Sequence, residues 1–106
     1  MNYTEITSIE QWQQVLATSN EQPILVLKHS TTCPISAAAY SEFTAVDFEH
    51  AYLVKVIESR DVSNEIAANL DVQHASPQAI VIKDGKASWQ ATHHAVTAKA
   101  IEEAIA

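Results

Sequence analysis

Only one of the 106 residues is glycine, one is cysteine and three are proline. Each scarcity excludes something. With Cys33 the single cysteine, no disulfide can close within the chain, so stability has to come from a packed core. With Gly85 the sole glycine, few positions take positive φ without steric cost, and the elements have to be joined by compact turns of Asn, Asp, Ser and Pro. No Pro/Gly-rich linker, low-complexity tract or internal repeat divides the chain, which predicts a single domain over residues 1–106. Bases are short too. Six against thirteen acids leave a formal net charge of −7, which repels phosphate backbones and anionic lipid and argues against general nucleic-acid or membrane-surface binding. No apolar stretch approaches the ~20 residues of a bilayer span. The start, Met1-Asn2-Tyr3-Thr4-Glu5-Ile6, has neither the cations nor the apolar run of a secretory signal. A free thiol without a targeting signal predicts a cytoplasmic setting.

What is present is a globular balance, 47% apolar and 18% charged, patterned as alternating elements. Tyr3–Ile6 reads as a short edge strand. Ser8-Ile9-Glu10-Gln11 has the form of a capping box, followed by Ile9, Trp12, Val15 and Leu16 at helical spacing. Ile24-Leu25-Val26-Leu27 is continuously apolar, as in a strand covered on both faces. Beyond Cys33-Pro34, the residues Ile35, Ala38, Ala39, Phe43 and Val46 mark one helix face. Tyr52–Ile57 predicts a strand. Asp61 caps a helix with Val62, Ile66 and Leu70 inward. Ala79–Ile82 and Ala87–Ala91 form a hairpin about Asp84-Gly85. Thr97 caps a last helix with Ala98, Ile101 and Ile105 facing the core. Strands alternating with helices, closed by a hairpin and a helix, predict an α/β fold: a three-layer α/β/α sandwich on a mixed sheet of four to five strands.

Cys33 follows a strand and opens a helix. Pro34 suits the first helical position, where its missing N–H costs nothing, and that makes Cys33 the N-cap, beside the unpaired N–H groups and positive end of the helix. Cysteines so placed ionise more readily, and the thiolate is the species that attacks disulfides. A free cysteine is often just a small buried hydrophobe; the strand–turn–Cys-Pro–helix context favours a reactive thiol. Three residues on stands Ser36, giving Cys33-Pro34-Ile35-Ser36. Serine cannot resolve a mixed disulfide as a second cysteine would, so a second molecule has to do so. Its hydroxyl either donates to the Cys33 sulfur or satisfies the first turn of the helix.

Ser76-Pro77 is either punctuation before a strand or a cis-proline loop packed against the cysteine, with Ser76 offering backbone hydrogen bonds to a bound chain. Lys28 and His29, at the end of the strand that delivers Cys33, either favour the thiolate by charge or point into solvent. His93-His94, read as extended neighbours, point to opposite faces and make a poor chelating pair. His50 and His74 read as surface residues, Glu102 and Glu103 as a solvated helix face. No Cys/His spacing resembles a zinc site, so no metal ligand is predicted.

The stretch Lys28-His29-Ser30-Thr31-Thr32-Cys33-Pro34-Ile35-Ser36 resembles the signature of the monothiol bacilliredoxin family, with its Thr-Cys-Pro-Ile-Ser motif. Glu58-Ser59-Arg60-Asp61-Val62-Ser63-Asn64 and His74-Ala75-Ser76-Pro77-Gln78 resemble that family as well. The resemblance implies a thioredoxin-like fold, whose element order this chain follows, and a role in the bacillithiol redox system. It implies Cys33 as catalytic nucleophile, Thr32, Pro34, Ile35 and Ser36 as the rest of the active-site motif, and Ser76 and Pro77 as the substrate-binding cis-proline loop. Bacillithiol is then the co-substrate, with no bound cofactor. The implied partners are bacillithiolated proteins and, as reductant, bacillithiol or a partner redoxin.

Two other readings compete. A monothiol glutaredoxin usually carries Cys-Gly-Phe-Ser and a Gly-Gly pair after the proline strand; here Pro34 and Ile35 stand in the motif and Gly85 is alone. A non-enzymatic thioredoxin-like interaction or redox-sensing module has the same fold. A pure binding module differs in that an ordinary thiol suffices, and partner binding is indifferent to Cys33→Ser.

Overall fold

The computed structural model describes residues 1–106. In chain order the elements are β1 (Thr4–Glu5), α1 (Ile9–Thr18), β2 (Ile24–His29), α2 (Pro34–Thr44), β3 (Ala51–Lys55), α3 (Arg60–Leu70), β4 (Gln78–Lys83), β5 (Lys86–Thr92), a 3₁₀ turn (His93–Ala95) and α4 (Ala98–Ile105). The sheet runs β1-β3-β2-β4-β5. The strands β1, β3 and β2 are mutually parallel, whereas β4 and β5 are antiparallel additions, so the sheet is mixed. No helix is long and apolar enough to cross a membrane.

Alternation along β2 builds the three layers. Ile24 and Val26 join Trp12, Val15, Val62 and Ile66 in a core under α1 and α3. Leu25 and Leu27 join Ala39, Phe43 and Ile101 in a second core under α2 and α4. Every residue of β2 is buried, as its apolar run predicts for a central strand. The layers are pinned by specific polar bonds. The buried indole of Trp12 donates to Asn69 Oδ1 at 2.8 Å, tying α1 to α3. Glu42 of α2 accepts the Ala98 N–H at the start of α4.

The capping signals act locally. Gln11 N–H donates to Ser8 Oγ and Ala100 N–H to Thr97 Oγ1, both at 3.1 Å. Gln11 Oε1 turns back to the Thr7 N–H rather than the Ser8 N–H, one residue earlier than in the simple box. Asp84 (φ 51°) and Gly85 (φ 73°) form the predicted hairpin turn with both central residues left-handed. With no glycine available, Asp71 takes the left-handed position that ends α3, a role its short polar side chain tolerates.

Several boundaries differ from the sequence reading. The third strand is Ala51–Lys55; Val56 and Ile57 lie in the turn beyond it, with Ile57 half exposed. The N-cap of α3 is Ser59, and Asp61 lies in the first turn, where a carboxylate favours the helix dipole instead. On α2, Ile35 and Ala38 face outward, and Ser36, Ala39 and Phe43 form the buried stripe. His93 and His94 belong to the 3₁₀ turn and are not extended, with His93 at φ 54°.

Candidate active site

Cys33 is the N-cap of α2, with extended backbone (φ −101°, ψ 124°) and Pro34 at the first helical position. Its thiol is free and partly exposed. Ala37 N–H donates to the Cys33 carbonyl and closes the first turn. Pro34 has no N–H, so the open donors at this end are the amides of Ile35 and Ser36, neither of which has an acceptor in the chain. Those open donors give the helix start its partial positive charge beside the sulfur. Ile35, exposed by 36%, leaves an apolar side chain next to the thiol, while Thr32 is exposed on its other side.

Ser36 takes neither role considered for it in the sequence. Its side chain is wholly buried, with Oγ 2.6 Å from His29 Nδ1 and accepting the Ser30 N–H at 2.9 Å. The hydroxyl therefore stitches the first turn of α2 to the end of β2 and to the loop that carries Cys33. His29 in turn stacks on Tyr40, ring centroids 5.0 Å apart. The Tyr40 hydroxyl meets that of Tyr3 at 2.7 Å, a hydrogen bond that pushes the Tyr3 pKa up to about 12.

Neither Lys28 nor His29 points into solvent. Adjacent strand residues face opposite sides, so His29 packs under α2 while Lys28 enters the α1/α3 layer. Burial, followed by the Lys55 charge, lowers the His29 pKa, leaving a neutral ring at neutral pH rather than a cation for the thiolate. Lys28 is fully buried. Its ammonium donates to the Ser63 carbonyl at 3.2 Å and meets His74 Nδ1 at 2.7 Å, and burial lowers its pKa from 10.5 to about 8. His74 is exposed, as the sequence suggests, yet its Nδ1 is engaged by this buried lysine. Burial, then Lys28, then Arg60 lower the His74 pKa.

The Ser76–Pro77 peptide bond is cis. The β2–β4 register pairs Lys28 with Gln78, which brings Pro77 and Ser76 alongside His29 and Ser30, at the root of the Cys33 loop. Pro77 is buried, and its carbonyl accepts the His93 N–H at 3.0 Å. Ser76 has no partner for its N–H or carbonyl, and its hydroxyl is buried and unbonded. Sequence reasoning missed the polar mesh of Lys28, Ser63 and His74; its one visible sign is a lysine directly after the apolar run Ile24–Leu27 of a central strand.

The family model for the monothiol bacilliredoxin BrxC matches residues 4–101. Among solved structures, a thioredoxin-fold protein described as an oxidoreductase superposes with a TM-score of 0.88 at 35% identity, over 96% of this chain and 92% of that one. A thioredoxin of Fasciola hepatica superposes at 0.74 with 17% identity, over 96% and 95% of the two chains. Mitochondrial thioredoxin 3 of Saccharomyces cerevisiae superposes at 0.73 with 18% identity, over 97% and 92%. The last two establish the fold alone. Carrying one thiol at a helix start where a dithiol would need two, the chain belongs to the monothiol bacilliredoxin family and is a thioredoxin-fold thiol–disulfide oxidoreductase.

Proposed function

We propose that this protein removes bacillithiol from protein mixed disulfides. The Cys33 thiolate attacks the bacillithiol sulfur, the protein–bacillithiol S–S bond breaks, and the substrate cysteine leaves as a thiolate. Bacillithiol is then disulfide-linked to Cys33. A second thiol, free bacillithiol or a partner redoxin, attacks that adduct, takes the bacillithiol as a new disulfide and returns Cys33 as thiolate. The cycle uses bacillithiol as co-substrate and calls on neither a metal nor a bound organic cofactor. A reducing cytoplasm suits it.

The observation that carries this reading is the pairing of Cys33 with Ser36. The position where a resolving cysteine would sit holds a hydroxyl committed to His29 and Ser30, so an adduct on Cys33 has no internal route off. The open amides of Ile35 and Ser36 put the partial positive charge of the α2 start beside the attacking sulfur. Thr32, Pro34 and Ile35 shape the approach to the sulfur. Ser76, with Pro77 fixing its backbone, offers its free N–H and carbonyl to the substrate chain, in the manner of an added strand.

The test is intact-protein mass spectrometry of wild type and Cys33→Ser after mixing with a bacillithiolated protein. Wild type is expected to gain one bacillithiol as the substrate loses one, and the variant to gain none. A wild-type protein that stays unmodified beside an intact substrate adduct sinks the proposal.

A further inference from the structure

Beside the cis-proline loop opens a cavity of about 480 Å³, lined by Gln73, His74 and Ala75 before β4 and by Gln90, Thr92 and His93 at the end of β5. Its size is that of a small-molecule site, and Ala75 is its single apolar wall. Several side-chain donors on its walls are left free, while one buried acceptor nearby, Gln78 Oε1, has no partner. A charged Lys28 has no lone pair to offer, so its 2.7 Å contact makes His74 Nδ1 the acceptor. The ring proton is thereby placed on Nε2, which has no partner in the chain. Gln90 Oε1 accepts from Gln78 Nε2, so the NH₂ of Gln90 is its free end. The Thr92 hydroxyl and the His93 ring are also unengaged. The buried Lys28 ammonium lies behind His74, and Arg60 is close enough to act on the same ring. In a chain of net charge −7, this is a local concentration of donors and positive charge.

The cavity adjoins the thiol's loop. Gln78 Nε2 also donates to the Gln73 carbonyl, so one buried amide joins the two walls. Gln78 is paired with Lys28 across the sheet, and His93 N–H is bonded to the Pro77 carbonyl. The walls are thus the immediate neighbours of the proline that flanks the Cys33 loop.

We propose that this cavity is a headgroup subsite, which holds the carboxylate-bearing, hydroxyl-rich part of the low-molecular-weight thiol whose sulfur exchanges at Cys33. It rests on the transfer reaction proposed above. His74 Nε2–H, the Gln90 amide and the Thr92 hydroxyl donate to the headgroup oxygens, and Lys28 fixes the tautomer that makes His74 a donor.

Single-turnover transfer to Cys33 from one carrier protein, capped with either bacillithiol or the headgroup-free thiol cysteamine, tests this. The readout is the ratio of the two rates in wild type, Gln90→Glu and Thr92→Val. Gln90→Glu keeps the oxygen that Gln78 needs but replaces the donor with a negative charge. It is expected to lower the ratio by at least about ten-fold, as loss of a bond to a charged group implies. Thr92→Val, nearly isosteric, is expected to lower it less. A ratio unchanged in both variants overturns the subsite, including the case where both rates fall together because the cavity grips the carrier protein. Transfer of neither cap by wild type is distinct from that: it removes the exchange reaction itself and the subsite with it.

Discussion

Ser36 Oγ lies 2.6 Å from His29 Nδ1 and also accepts the Ser30 N–H, so the residue in the resolving position is a structural clamp on the loop that presents Cys33. Ser36→Ala would strand a buried ring nitrogen and an amide proton. A loss of about 1–3 kcal/mol is expected, read by urea denaturation, together with slower transfer at Cys33. Stability and rate both equal to wild type would remove the clamp from the account.

Ser36→Cys addresses the chemistry of the same position. A thiol there can attack an adduct on Cys33 and expel bacillithiol, leaving an internal disulfide. Mass spectrometry is expected to find the wild-type adduct persistent and the variant adduct replaced by a species two hydrogen atoms lighter than the reduced chain. A persistent adduct in the variant would show that backbone packing keeps the two sulfurs apart.

The buried lysine gives stability a dependence on alkaline pH. Lys28 has its pKa lowered from 10.5 to about 8. Below pH 8 it is charged in the folded and unfolded chain alike, and pH has no leverage through it. Between about 8 and 10.5 the unfolded chain binds a proton that the native state has released, so stability rises with pH, by at most about 3 kcal/mol over the whole interval. Tyr3, raised to about 12, acts oppositely but only above pH 10. Urea midpoints from pH 7.5 to about 9.5 are therefore expected to climb in wild type and to climb less in Lys28→Met. The variant is also expected to be the more stable protein at pH 7, because an apolar chain replaces a buried charge without a carboxylate partner. Identical slopes would count against a buried, titrating Lys28.

The acid side has its own signature. His29 and His74 both have lowered pKa values, chiefly through burial. As pH falls below about 6.5 the unfolded chain takes up protons that the folded rings resist, so stability declines. His29→Gln is expected to flatten the decline between pH 7 and 5, measured as the shift in thermal midpoint. A decline of full wild-type steepness in that variant would assign the acid sensitivity elsewhere.

Signals confined to a few neighbouring residues were legible in the sequence. The apolar run of β2, the caps at Ser8 and Thr97, the Asp84-Gly85 turn and the Cys33-Pro34 helix start each depend on local chemistry. The face of α2 was harder. Ala37, Ala38 and Ala39 give no contrast between inside and outside, so Ile35 drew the stripe toward itself, although the structure buries Ser36. That polar residue is buried because His29 and Ser30 supply its hydrogen bonds, and those partners meet it only once the chain has turned. Lys28 and His74 are 46 positions apart, and the cavity joins residues 73–75 to 90–93 across the β4–β5 hairpin. No spacing rule reaches that far.

Ser76 separates stability from binding. Its hydroxyl is buried with no partner, and such an oxygen bears a desolvation cost without a compensating bond. Ser76→Ala is therefore expected to leave the fold as stable as wild type, or more stable by up to about 1 kcal/mol. If the unpaired oxygen is held ready for a substrate chain laid beside Pro77, the same change raises KM for the bacillithiolated protein by a few-fold and leaves kcat nearly alone, since binding is lost equally before and in the transition state. A loss of stability would instead mean that an ordered water already satisfies the oxygen in the free protein. An unchanged KM would leave the backbone of Ser76 as its sole contribution to substrate binding.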